Sequence, residues 1–225
     1  ELVILFLHGK EITGAGGLVV DAPMRMRIAV QACILVLNLG IEYYEGWSDI
    51  IVYPDEFVPE HEYTDEAGVV HTVREARAGE AWLSGPVILS WADVALSRGD
   101  EGVNVVIHEF AHKLDMLNGD ANGFPPLHKG MSRAAWSQAF ERSYADFCQR
   151  VDAGELTDID PYAAESPGEF FAVLSEAFVE TPEVVAGEYP DVYAQLQAFY
   201  RQDPLGRGGR RGVSRGARPA VWRLR

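Results

Sequence analysis

The sequence predicts an α+β fold, mainly helical, with a small β-sheet region ahead of one central helix. Three observations carry this. Capping residues, prolines and glycines punctuate helices through the second half of the chain. Short β-branched runs at 48–53 and 87–91 lie in the first half. Between them, the apolar segment 104–117 carries two histidines four residues apart.

The elements follow in order. Residues 2–7 are an apolar run closed by Gly9, readable as a strand or as the end of a helix. The glycines at 14–17 make a turn. Asp21 caps a helix with Pro23 in its first turn. That helix runs to about Leu39, stops at Gly40 and is apolar nearly all round, which places it in the core. A strand at 48–53 ends at Pro54, and Asp65-Glu66-Ala67-Gly68 suits a hairpin or loop within 63–74. A second strand at 87–91 follows Gly85-Pro86 and leads into a turn or short helix. The helix at 104–117 closes at Gly119. Ser132 caps a long helix to about Val151. Ser166, Pro167 and Glu169 have capping-box spacing and start a helix to about Glu180, ended before Pro182. A last helix covers 192–202, between Pro190 and Pro204. The organisation expected is one domain, 1–204, followed by a basic, poorly ordered tail, 205–225.

Composition bounds the function. The 225 residues are 48% hydrophobic, enough for a sizeable core. The net charge of −15 argues against direct nucleic-acid binding and against an anionic membrane surface. The tail carries seven arginines and no acid, leaving 12 basic against 34 acidic side chains in the rest. It reads either as a basic arm for an acidic partner or as a solvated end. Cys33 and Cys148 lie in apolar stretches outside any C-x-x-C pair, which predicts reduced thiols and a cytoplasmic setting. No apolar stretch is long enough to span a bilayer. The chain starts at Glu1 rather than Met, as a fragment of a longer protein would.

The chemistry concentrates at His108-Glu109-Phe110-Ala111-His112, an H-E-x-x-H motif. On a helix, positions i and i+4 share one face, so two imidazoles can hold one metal ion while Glu109 reaches a water on it. The apolar residues around the motif would bury both histidines, and buried imidazoles need partners. A catalytic zinc site needs a third ligand. The extended pattern with a third downstream histidine fails, because Asp115 and Asn118 stand where its Gly and His would be. The remaining route is a glutamate on a later helix. Glu169 and Glu176, seven apart on one face of an apolar segment, both qualify, and spacing does not choose between them. Asp115, seven after His108, is placed to bond a ligand histidine through its second ring nitrogen, or else is a solvent-facing acid at the helix end. A purely structural zinc site is disfavoured, since His128 is the nearest spare ligand and His8, His61 and His71 have no metal spacing.

Two long motifs carry a resemblance: H-E-F-A-H-K-L-D-M-L-N-G-D-A-N-G from His108, and D-P-Y-A-A-E-S-P-G-E-F-F-A-V-L-S-E from Asp160. They resemble the Mlc titration factor A family of bacterial zinc peptidases, whose catalytic domain is similar to that of anthrax lethal factor. The likeness extends upstream through Gln31-Ala32-Cys33 and Tyr43-Tyr44-Glu45-Gly46-Trp47 and covers the chain to about Pro204. It implies a zincin-like (gluzincin) domain with Zn2+ held by His108, His112 and Glu169. It implies Glu109 as general base and Tyr162, seven before Glu169, as an oxyanion donor. Asp115 and Glu176 are left for an outer shell. It further implies an aminopeptidase-like activity on peptides, for which Glu165 or Asp115 could hold the substrate ammonium. It also implies binding to the glucose-responsive repressor Mlc, where an acidic body could meet a basic surface. The alternative is a non-catalytic, repressor-binding regulator that retains the zinc site.

Overall fold

A four-stranded sheet in the order β1-β2-β6-β5 sits under the motif helix. The computed structural model describes residues 1–56, 60–64, 70–74, 79–81, 85–97 and 103–208. Strands β1 (Glu11–Gly14), β2 (Asp49–Tyr53) and β6 (Val87–Ser90) run parallel, with Ile12 opposite Ile50 and Ile50 opposite Val87. Ile12, Ile50, Val52, Val87 and Leu89 are all fully buried. The short edge strand β5 (Gly79–Ala81) pairs antiparallel with β6. A separate hairpin joins β3 (Glu60–Thr64) to β4 (Val70–Arg74). The turn expected inside it, at 65–69, lies outside the described residues.

Helices make up the rest of the described fold. The apolar run at the start is helical, α1 (Leu2–Gly9), rather than a strand. Its Phe6 is buried against Tyr44 and Phe110. Helix α2 (Ala22–Leu35) opens with Asp21 accepting the Met24 N–H, and it ends four residues before the expected Leu39. A long-range contact sets that end: the Gln202 amide donates to the carbonyls of Ile34 and Leu35, the groups a helix terminus leaves unpaired. Trp91 opens a short helix, α3 (Trp91–Leu96), instead of closing β6.

The site rests on α4 (Val105–Asp115), α5 (Arg133–Asp152) and α6 (Pro167–Glu180). Helix α4 packs on α2, α6, β5 and β6, and α6 packs on α4, α5, α7 (Pro182–Glu188) and α8 (Pro190–Tyr200). Aromatic rings fill the space between α5, α6 and α8. Trp136 stacks on Phe140 at 4.3 Å, and Phe171 and Phe199 meet its edges. Each such ring removes a large apolar area from water, which makes these contacts the main adhesive of the helical half. A short helix, α9 (Pro204–Gly208), occupies the first residues of the expected tail, and the tail beyond 208 lies outside the described residues. Both cysteines are free thiols, and no described helix is long and apolar enough to cross a membrane.

Behind α4, two lysines are buried around one indole. Lys10 Nζ lies 3.6 Å from the Trp47 ring centroid and donates to the carbonyls of Tyr44 and Trp47. Lys113 Nζ lies 4.5 Å from the same centroid and donates to the Gly85 carbonyl at 3.0 Å. Burial, and then the neighbouring Lys113 ammonium, push the Lys10 pKa down from 10.5 to about 8. Between those values the unfolded chain binds the proton and the folded chain does not, so raising the pH favours the fold. Denaturant unfolding of wild type and Lys10→Met from pH 8 to 9.5 should therefore give a stability difference that shifts toward wild type as the pH rises. A pH-independent difference would show that Lys10 keeps an ordinary pKa.

Candidate metal centre

The α4 N-terminus is built by Asn104, whose side chain accepts the Ile107 N–H at 3.1 Å. That cap starts the helix four residues before His108 and puts His108 and His112 on one face, toward α6. Phe110, Ala111 and Leu114 face the core and are fully buried. Opposite, the Ser166 hydroxyl accepts the Glu169 N–H at 3.1 Å and starts α6, with Pro167 in the first turn. The side chain of Glu169 turns toward α4.

Three ligand atoms converge there. The Nε2 atoms of His108 and His112 are 3.1 Å apart. Glu169 Oε2 is 3.0 Å from the first and 3.2 Å from the second. Among the described residues, this is the one group of three or more His, Cys, Asp or Glu with ligand atoms close enough to share a metal ion. Glu176 takes the far side of His108: its Oε1 is 2.6 Å from Nδ1, and its Oε2 accepts the Asn104 N–H at 2.6 Å. Each acid of the pair thus has a different place, one between the two Nε2 atoms and one behind His108.

The protons decide what fits this space. The Glu176 carboxylate accepts, so His108 carries its proton on Nδ1 and presents a bare Nε2 to Glu169 and His112. Lone pairs then face lone pairs at about 3 Å, and a cation among them, a proton or a metal ion, removes the repulsion. Burial alone would lower the His108 pKa, but Glu176 and Glu169 outweigh it and hold the ring well above the usual imidazole range. Burial would raise Glu169, yet where a proton is that cation, hydrogen bonds from the histidine Nε2–H groups and their charge hold it far below the usual carboxylate range. Two imidazole nitrogens and one carboxylate oxygen fit a zinc-type ion.

The remaining residues line the centre or stand apart from it. Glu109 is 4% exposed, and its Oε2 has no hydrogen-bond partner among the described residues. Burial pushes its pKa up to about 7 against the opposing pull of the two histidines. The Tyr162 ring, 46% exposed on the 3-10 turn Pro161–Ala164, lies 6.1 Å from the His108 ring. Glu165 is exposed at the end of that same turn. Of the two readings of Asp115, the solvent-facing one fails, since the residue is fully buried. The second nitrogen of His108 belongs to Glu176, which leaves His112 as the ligand histidine open to Asp115. Asp115 Oδ2 accepts the Gly123 N–H at 2.7 Å, so it is out of reach of a substrate ammonium.

Sequence reasoning passed over two participants. Asn104 both caps α4 and links it to Glu176, which an N-cap search before the motif could have found. Gly79 of β5 runs against Glu109: a Cβ there would come within 2.4 Å of Glu109 Oε1. Nothing local in the sequence marks that approach.

Known proteins resemble this chain over most of its length. The family described as glucose-regulated metallo-peptidase M90 matches residues 1–201. A protein of Klebsiella pneumoniae subsp. pneumoniae called Mlc titration factor A is 38% identical over 215 residues, covering 95% of this chain and 81% of that protein. Proteins of the same name from Salmonella gallinarum and Serratia proteamaculans are each 41% identical over 204 residues. Those alignments cover 88% and 89% of this chain, and 76% and 78% of the relatives.

Glu176→Gln tests the clamp on His108. A carboxamide satisfies one of its two donors, the His108 Nδ1–H or the Asn104 N–H, and turns an N–H toward the other. Zinc affinity, read by competition with a chromophoric chelator, should fall about 10–100-fold. An unchanged affinity would mean that Glu176 does not orient the histidine.

Proposed function

The chain belongs to the family of glucose-regulated metallopeptidases M90, and on that premise we propose that it is a zinc-dependent peptidase, aminopeptidase-like, that also binds an Mlc-type transcriptional repressor. One observation carries the catalytic part: His108, His112 and Glu169 converge beside Glu109, a buried carboxylate with a free oxygen. In this reading those three residues hold Zn2+. When bound, the ion supplies Lewis acidity, which makes a water acidic near neutral pH and polarises a peptide carbonyl.

The chain's own groups do the rest. Glu109, buried beside the two histidines with one oxygen free, takes the proton of the attacking water and returns it to the leaving amine. Glu176 keeps the His108 proton on Nδ1, leaving Nε2 free for the metal. The Tyr162 phenol, on the exposed side of His108, donates a hydrogen bond to the developing oxyanion. For an aminopeptidase-like action, Glu165 is the acid left to receive the substrate ammonium, since Asp115 is sealed in the core.

The repressor-binding part rests on the name of the relatives, Mlc titration factor A. The strongly acidic composition suits a partner with a basic, DNA-binding surface. The same name supports a second reading, in which the metal site is retained but titration of the repressor is the whole activity.

Glu109→Gln should keep zinc and lose about 10²–10⁴-fold in peptide hydrolysis, assayed with free and N-blocked peptides. Tyr162→Phe should lower kcat by about 10²–10³-fold with little change in KM. Wild-type turnover in Glu109→Gln would sink the general-base role. In a pull-down with a purified Mlc-type repressor, Glu109→Gln should bind as wild type does. Capture by neither protein would remove the titration reading, and capture with no zinc-dependent hydrolysis by wild type would leave it as the sole function.

A further inference from the structure

We propose that Asp115 is the positioning carboxylate of His112, accepting its Nδ1 proton across one bridging water, in the role that Glu176 fills by direct contact for His108. The inference rests on the zinc-site reading above and adds a residue to it. Two buried atoms motivate it. His112 Nδ1 and Asp115 Oδ1 are both shielded from solvent, and neither has a hydrogen-bond partner among the described residues. For His112 to offer its Nε2 lone pair beside Glu169, its proton must sit on Nδ1. That leaves a donor without an acceptor, three residues along the helix from an acceptor without a donor. Positions i and i+3 are neighbours on one helix face.

Competing partners are already engaged. Glu176 uses both oxygens, on His108 and on the Asn104 amide. The Tyr200 hydroxyl, the other ionisable group near Asp115, donates to Ser175 Oγ at 2.8 Å. The other Asp115 oxygen accepts the Gly123 N–H, and of the Asn122 and Phe124 amides that also point toward this carboxylate, that of Phe124 donates to Asn122 Oδ1. Buried donors and acceptors nearly always find partners, and these two share one helix face.

The Gly123 contact extends the reach of Asp115 to the third ligand. Gly123 is held at both ends, its N–H by Asp115 and its carbonyl by the Trp136 indole at 3.0 Å. It has φ +77° and lies so near the first turn of α6 that a Cβ would come within 2.5 Å of the Pro167 carbonyl oxygen. Gly168 in turn lies close to the Ala121 carbonyl oxygen, which a Cβ there would approach to 2.8 Å. One carboxylate thus orients His112 and seats the turn that delivers Glu169.

Asp115→Asn separates the two duties. Its carboxamide oxygen still accepts the Gly123 N–H, while its NH2 group meets the His112 Nδ1–H with a second donor. Zinc affinity should fall about 10–100-fold while the far-UV circular dichroism of the zinc-free chain stays as in wild type. The 15N-edited NMR signal of the His112 Nδ1 proton should shift or vanish, and that of His108 should persist. Affinity within twofold of wild type together with an unchanged His112 signal would overturn the proposal. Should the variant not fold, the zinc-loaded wild type decides: slow exchange of the His112 Nδ1 proton supports the contact, and exchange as fast as in free imidazole refutes it. Failure of the wild type to bind zinc would sink the zinc reading instead, and the His112 signal of the zinc-free chain would still report on Asp115.

Discussion

The constraint on which this molecule depends is the withdrawal from water of two imidazoles and two carboxylates between α4 and α6. Taking such groups from water carries a large desolvation penalty unless each finds a partner. Here the partners are one another. Glu169 bridges the two Nε2 atoms, and Glu176 binds His108 and the amide that opens α4. Both helices must then hold their axial registers closely, because a slip of one residue would turn either face about 100° away. Their N-terminal caps, Asn104 and Ser166, serve that register directly.

The rest of the fold answers the same need from behind. Phe110, between the two histidines in sequence, points to the opposite side of α4 and meets Phe6, Tyr44 and Trp47. Lys113 leans over Trp47 and binds the backbone just before β6, tying the helix to the sheet. On the far side of α6, Phe170 and Phe171 lock into the rings of α5. Each ligand helix is therefore polar on one face and anchored by aromatics on another, so the polar groups meet without having to supply the cohesion themselves.

What was legible in the sequence follows from this division. The helix caps and the H-E-x-x-H spacing are local, and Asp21, Ser132 and Ser166 all cap as their types suggest. Glu169 and Glu176 could not be told apart by periodicity, because both face α4. What separates them is depth: two turns along α6, Glu176 reaches the back of His108 rather than its Nε2. The end of α2 was misplaced because Gln202, far along the chain, supplies its cap. Helix α7, seven residues between two prolines, is too short to show a period. Strands β1 and β5 are short enough that only their pairing partners define them. The burial of Asp115 has the same origin, since the loop that covers it returns through Gly123.

The approach of β5 to Glu109 shows how the sheet contributes to the chemistry. A carboxylate in open water has a pKa near 4.5 and is a weak base at neutral pH, whereas this one is pushed up to about 7. Nearby imidazoles oppose the rise, so exclusion of water must dominate. That exclusion needs backbone close to the carboxylate, and a side chain at residue 79 would collide with it. Glycine permits the contact, and antiparallel pairing to β6 holds the strand in place. An edge strand of three residues thus helps set the proton affinity of a group on a helix, a coupling that depends on one absent Cβ.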